Sequence, residues 1–172
     1  SAPVYFDPHL NGPYPVGTPT NCPSLYCGMM MISNTDLTAN SDNCPADSII
    51  IGKDDLLLNC KGYTLSSSNV NKVAIRIFSG YDRINITNCK LGSPGITSAG
   101  KNGTINNNTI INLTKLDSST SAGVSISSSG NLITNNTFTG SNGSSSSSVA
   151  ISISGTNNIF RSNNISNTLA TA

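Results

Sequence analysis

The chain has 172 residues, which suits one domain, and only 10% of them are charged, against about 25% in ordinary globular proteins. Eight Asp, no Glu, no Gln and one His stand beside 69 Ser, Thr and Asn, which argues against long surface helices and excludes chemistry that needs several histidines. A net charge of +1 without a Lys/Arg cluster leaves no electrostatic footprint for nucleic acid, and no apolar run approaches the roughly 18 residues of a membrane span.

Residues 1–26 read as an extended arm outside the fold. Six of the eight prolines fall in the first 23 positions, together with Gly12 and Gly17, and proline removes the backbone donors a sheet needs. His9 lies among these prolines, so a Ser-His-Asp arrangement has no credible base. The start at Ser1-Ala2-Pro3 has the form of a chain after signal-peptide removal, and the expected location is secreted, extracellular or at the cell surface. Residues 27–48 are expected to form a cap strand region. Within it, Met29-Met30-Met31 would place thioethers on alternate faces of a strand, which suits packing rather than a metal centre.

From residue 49 two anchors recur. The first is an apolar triplet: Ile49-Ile50-Ile51, Ile75-Arg76-Ile77, a degraded Ile96-Thr97-Ser98, Val124-Ser125-Ile126 and Ile151-Ser152-Ile153. The second runs apolar-x-x-Asn/Cys: Leu57 to Cys60, Ile86 to Cys89, Ile105 to Asn108, Ile133 to Asn136 and Phe160 to Asn163. First anchors are spaced by 26, 21, 28 and 27 residues, while the offset from first anchor to Asn/Cys stays at 11, 14, 12, 12 and 12. The units therefore keep register, and the variation lies in the separators Ser66–Asn69, Asp117–Ser121 and Gly140–Ser148, which have loop composition.

A unit of this size cannot bury its own apolar face and must stack on copies of itself. Short alternating strands that stack around one axis make a parallel β-helix over residues 49–166, right-handed by the usual crossover bias. Five coils at about 4.8 Å each give a core about 20–25 Å long. Residues 167–172 form a C-terminal tail. An antiparallel sandwich is the alternative all-β architecture, but it does not require two anchors in constant register.

The block from Cys27-Gly28 through Asn43-Cys44-Pro45 and on from Ile49 to Leu65 resembles the opening of right-handed parallel β-helix proteins of the NosD-like, pectate-lyase-type class. That opening has the form C-G, strand, C, then I-I-x-A-D-N-I-T-L-D-C-N-G-H-T-I. The later coils, such as Ile133-Thr134-Asn135-Asn136-Thr137-Phe138, are similar to the repeat of that class. The resemblance implies a secreted archaeal or bacterial surface β-helix and says little about activity, because the fold hosts lyases, hydrolases and structural proteins. Asn59 and Tyr63 stand where the class often has Asp and His.

Asn108, Asn136 and Asn163 are expected to stack as a ladder whose side-chain amides satisfy turn backbone. Cys60 and Cys89 fall at the same position and are expected chiefly as small residues filling the interior, with a disulfide between them as the alternative. Cys27 is expected to pair with Cys44, leaving Cys22 odd; Cys22 closing a loop with Cys27, or bonding another subunit, stays open. Such usage suits an oxidising compartment. Seven N-x-S/T sequons begin at Asn85, Asn102, Asn107, Asn112, Asn135, Asn142 and Asn164, a number this composition yields by chance at about six. Asn107 and Asn135 should point outward from one turn, as candidate carriers of N-linked glycans.

Candidates for chemistry are thin. Asp36, Asp42, Asp47, Asp54 and Asp55 lie in the first third, and only Asp82 and Asp117 fall in the middle coils, where paired carboxylates of a glycosidase would be needed. Asp54-Asp55 reads as a solvated turn rather than a Ca²⁺ site, and no cofactor or metal is expected. The expected function is a non-enzymatic extracellular structural protein. It would be a homo-oligomeric or polymeric subunit of a surface filament or layer, stacked head to tail with exchange of the N-terminal arm. The alternative is a carbohydrate-binding or polysaccharide-degrading module, for which Tyr63, Phe78, Tyr81, Phe138 and Phe160 are the aromatics beyond the arm, with Phe138 and Phe160 expected in the core.

Overall fold

The computed structural model describes residues 26–69, 71–92, 94–111, 121–140 and 148–166. Residues 1–25 of the N-terminal arm, Cys22, Asp117, the sequons at Asn112 and Asn142 and the C-terminal tail lie outside the described residues, whereas Tyr26, expected in the arm outside the fold, is described and buried.

The described residues contain eighteen strands and no helix. They fall into six coils of three strands each. Coil 1 holds β1 (Met29–Met31), β2 (Thr35–Asp36) and β3 (Ser41–Cys44); coil 2 holds β4 (Ile49–Ile51), β5 (Leu57–Asn59) and β6 (Thr64–Ser67). Coil 3 holds β7 (Ile75–Ile77), β8 (Asn85–Thr87) and β9 (Lys90–Leu91); coil 4 holds β10 (Ile96–Ser98), β11 (Thr104–Asn106) and β12 (Thr109–Ile111). Coil 5 holds β13 (Ser121–Ile126), β14 (Leu132–Thr134) and β15 (Thr137–Thr139); coil 6 holds β16 (Ser148–Ile153), β17 (Ile159–Arg161) and β18 (Asn164–Ser166). Each strand pairs in parallel with its counterpart one coil away, giving three six-stranded parallel sheets wound as a right-handed β-solenoid. The count is six rather than the expected five because the region between Cys27 and Pro45 makes a full coil of its own.

The register follows the repeat. Ile49, Ile75, Ile96, Val124 and Ile151 stand in one column of the first sheet. In the second sheet the column is Leu58, Ile86, Ile105, Ile133 and Phe160. Leu58 thus takes the inward place expected for Leu57, which faces solvent. A third column runs Leu65, Leu91, Ile110, Phe138 and Ile165. The alternation of strand side chains explains why one residue in two is buried: Ile75 and Ile77 are inside while Arg76 between them reaches outward. Each fully buried Ile, Leu or Phe contributes about 1.5–3 kcal/mol, and stacking like residues keeps the column packed from coil to coil.

The corners are tight. The turn between the second and third sheets uses the left-handed conformation at Lys61, Asn88, Asn107, Asn135 and Ser162 in coils 2 to 6, where asparagine is the side-chain-bearing residue that costs least. Gly100 is required by close approach, since a Cβ there would lie 2.0 Å from the Tyr81 carbonyl oxygen. Ser66 and Ser67, expected in a separator, belong to β6.

The two ends of the solenoid differ. At coil 1, Tyr26 is buried as part of the core that includes Met31 and Leu37, and its hydroxyl accepts from the Thr38 amide at 3.0 Å. At coil 6 the inward columns lie open: Ile153, Phe160 and Ile165 are 40%, 43% and 45% exposed, whereas their coil 5 counterparts Ile126, Ile133 and Phe138 are 2%, 0% and 0% exposed. Phe138 is core as expected. Phe160 occupies the inward column but is half open, because no described residue stands above it.

Candidate functional site

The most organised polar features follow the corners. In the expected ladder, the Asn108 side-chain oxygen accepts from the Cys89 backbone amide at 2.9 Å, Asn136 does the same for Asn108 at 3.0 Å, and Asn163 for Asn136 at 2.9 Å. Each Nδ2 donates to the coil below and within its own turn, Asn136 to the carbonyls of Ile105 and Thr134, both at 2.9 Å, and Asn163 to those of Ile133 and Arg161, and the Nδ2 groups of Asn108 and Asn136 also reach the next asparagine's oxygen. Asn108 and Asn136 are buried. These bonds satisfy backbone groups that the three sheets leave unpaired at the corner.

A second ladder occupies the corner between the first and second sheets. The Asn131 side-chain oxygen accepts from the Gly103 amide at 2.8 Å, and that of Asn158 from the Asn131 amide at 2.9 Å. Asn158 also donates to the Ser128 carbonyl at 2.8 Å. The sequence signal was present, since Asn131 and Asn158 each precede a first-ladder Asn by five residues. It was masked because coils 2 to 4 carry Leu56, Ile84 and Gly103 there.

Both ladders stop at coil 6. In the coils below, every Asn-bearing position has its backbone amide covered by an asparagine one coil later. Among the described residues, the amides of Asn158 and Asn163 have no such partner.

In place of Asn, coils 2 and 3 are joined by a disulfide between Cys60 and Cys89, with Cα atoms 4.7 Å apart. This corrects the expectation of two small filler residues: the separation of neighbouring coils at the corner lies within the ordinary span of a disulfide. Cys27 and Cys44 are bonded, with Cα atoms 5.3 Å apart. Two disulfides are consistent with an extracellular protein.

Charged groups also stack across coils. Asp54 and Asp55 are held by Arg83: the guanidinium bonds Asp55 at 2.5 and 2.7 Å and Asp54 at 3.2 Å. The hydrogen bond from Arg83 holds the Asp55 carboxyl below the ordinary carboxylate range. Asp54 and Asp82 each accept from the next coil's backbone, at Asp82 and Lys101. The Asp54-Asp55 turn is solvent-exposed as expected and in addition forms an inter-coil ion pair with Arg83, and Asp82 is engaged as a corner acceptor.

Asp47, nearly buried, binds Arg76 at 2.5 and 3.1 Å and accepts from the Val73 amide at 2.8 Å. Burial alone would raise its pKa. The Arg76 bond, the Val73 amide and the charges of Arg76 and Lys72 together outweigh burial and lower it.

Five sequon asparagines are described, and all five are exposed. Asn107 and Asn135 point outward from one turn as expected, but their amides are engaged, with Asn88 at 2.7 Å and Asn106 at 3.1 Å. Met31 is buried and Met30 exposed, so the thioethers diverge. The described residues include no cluster of three metal-ligating side chains and no helix long and apolar enough to cross a membrane. A shallow groove at the corner after the second sheet is lined by Lys61, Asn88, Lys90, Asn107 and Thr109. Tyr63 lies beside that corner, whereas Phe78 and Tyr81 follow β7 at another. No family model, curated protein or solved structure matches the chain.

Proposed function

We propose that the protein is a non-enzymatic extracellular structural protein of the NosD-like β-helix type. It serves as a subunit of a cell-surface filament or layer assembled by end-on contact of solenoids. The observation that carries the reading is the asymmetry of the ends: Tyr26 plugs coil 1, while coil 6 leaves Ile153, Phe160 and Ile165 open. Three parallel strand edges surround that apolar surface, and an open parallel edge is a template for further pairing. Residues 1–25 serve as the arm that clasps a neighbour, and accessible sequons such as Asn85 and Asn164 carry glycans where the source glycosylates asparagine. Immunolabelled electron microscopy of the native source tests the reading. Label in continuous filaments or a lattice supports it, and label dispersed through the medium or confined to single particles defeats it.

The groove lined by Lys61, Asn88, Lys90, Asn107 and Thr109 favours one second reading, an extracellular module that binds acidic polysaccharide through two ammonium groups and a row of amides. It predicts retention on uronate-containing polysaccharide that salt weakens and Lys90→Ala reduces. Cleavage of that polymer, lost on Asp82→Asn, would make it an enzyme.

A further inference from the structure

The corner between the first and second sheets of coil 4 sets two reactive neighbours side by side. Asn102 holds the left-handed conformation, with φ 55°, where asparagine is the side-chain-bearing residue that costs least. Gly103 follows at a close approach: a Cβ there would lie 2.9 Å from the Ile84 carbonyl oxygen and 3.2 Å from the Asn131 side-chain oxygen. The corner therefore favours Asn-Gly, and this is the one such step among the described residues. Asn-Gly is also the dipeptide in which asparagine, a thermolabile residue, cyclises most readily, because no side chain on the second residue hinders its backbone nitrogen.

The reaction needs only water and hydroxide. Hydroxide takes the Gly103 backbone proton, and the nitrogen attacks Cγ of Asn102. The N–Cγ bond forms, the Cγ–Nδ2 bond breaks, and Nδ2 takes a proton from water and leaves as ammonia. Water then opens the succinimide at either carbonyl. Breaking the N–Cγ bond gives aspartate; breaking the bond from that nitrogen to the Asn102 main-chain carbonyl carbon gives isoaspartate, with the chain running through Cγ.

In the solenoid both reacting groups are held by one turn of coil 5. The Gly103 N–H donates to the side-chain oxygen of buried Asn131 at 2.8 Å, and losing that proton would set an amide anion against a carboxamide oxygen. The Asn102 side-chain oxygen fills the place a Cβ on Gly130 would take, and the Asn102 amide donates to the Ser129 carbonyl at 3.1 Å. Asn102 is itself exposed, so water and hydroxide stand ready when the turn lifts.

We infer that Asn102 is a latent deamidation site, intact while residues 129–131 of coil 5 rest on coil 4 and converted to aspartate and isoaspartate when that turn opens. Isoaspartate adds a carbon to the main chain at the corner and displaces Gly103 from Asn131. A coil that has stayed open long enough therefore does not restack in register, and the corner records its opening irreversibly. This holds whether or not solenoids associate end on.

The test uses the full chain, produced without glycans because Asn102 also begins a sequon, and incubated at mildly alkaline pH. Peptide mapping by mass spectrometry reads aspartate and isoaspartate at Asn102, and hydrogen exchange reads the Gly103 amide. The same chain, reduced and unfolded in guanidinium chloride, sets the unprotected rate. Deamidation at Asn102 should be at least tenfold slower in the folded chain than in the unfolded one, and at least tenfold faster in Asn131→Ala than in the folded parent. Cys60→Ala with Cys89→Ala, which weakens coils 2 and 3 and leaves the coil 5 turn untouched, should stay within threefold of the parent. If Asn131→Ala does not fold, the parent alone decides: below its unfolding transition in guanidinium chloride, deamidation at Asn102 should rise in step with exchange at Gly103. Equal rates in folded and unfolded chains, no acceleration in a folded Asn131→Ala, equal acceleration by the cysteine pair, or deamidation that does not follow Gly103 exchange would overturn the inference.

Discussion

Replacing Asn136 with alanine probes the ladder at its most connected point. The Asn136 oxygen accepts from both the backbone and side-chain nitrogens of Asn108 at 3.0 Å, and its nitrogen donates to Ile105, Thr134 and Asn163. Asn136 is 1% exposed, so water does not replace these partners in an unrelaxed structure. One buried amide left unpaired costs about 1–3 kcal/mol, and each other net hydrogen bond lost adds about 0.5–1.5 kcal/mol. Local relaxation recovers part of this, which leaves about 3 kcal/mol of destabilisation, a large share of the roughly 5–15 kcal/mol available to a domain. The exposed strand residue Asn85 serves as control, since Asn85→Thr should stay within about 0.5 kcal/mol. Urea denaturation followed by circular dichroism measures both. In a solenoid the loss is partly local, so hydrogen exchange should show the amides of Asn108 and of coils 5 and 6 opening first. If Asn136→Ala melts within 0.5 kcal/mol of the parent, the ladder is not a stabilising element and the reasoning fails.

Replacing Cys60 and Cys89 with alanine together should destabilise by about 3.6 kcal/mol on the chain-entropy account of a loop of this length, read by the same urea titration against the oxidised parent; no change would show that the bond does not constrain the unfolded chain. Asp47 has a folded-state pKa below its unfolded value, so its contribution is present above about pH 4 and is lost as pH falls through the lower folded value. Stability measured from pH 5 to pH 2 should therefore fall less in Asp47→Asn than in the parent, and parallel curves would refute the assignment. Phe138→Ala should cost about 3–5 kcal/mol, while Phe160→Ala, in a half-open site, should cost clearly less by thermal or urea melting. Equal costs would mean that coil 6 is covered.

The fold was legible because its signal is periodic. Columns such as Ile75, Ile96 and Val124 are stacked by the same residues that defined the first anchor, and Asn108, Asn136 and Asn163 bond as their spacing required. Coil 1 was not recognised as a coil. Its inward positions include Thr35 and Ser41, and its strand β2 has two residues, too short to show alternation. Leu57 and Leu58 could not be separated from sequence, because both are apolar and only the turn at Lys61 decides which one faces inward. Cross-coil charge pairs were also hidden: Asp55 and Arg83 are 28 residues apart in sequence, and nothing local signals their contact. The second ladder was hidden for another reason, as only coils 5 and 6 carry asparagine there. The chemistry of the open end emerged only when each backbone amide was matched to its acceptor, a three-dimensional count that residue spacing does not supply.

The most direct test is hydrogen exchange over residues 148–166, compared between the isolated protein and assembled material taken from the native surface. End-on assembly through coil 6 predicts that the amides of Asn158 and Asn163, open in the isolated chain, become protected at least tenfold in the assembly, with those along β17 and β18. Equal exchange in both samples, or protection confined to the flanks of the solenoid, would contradict it.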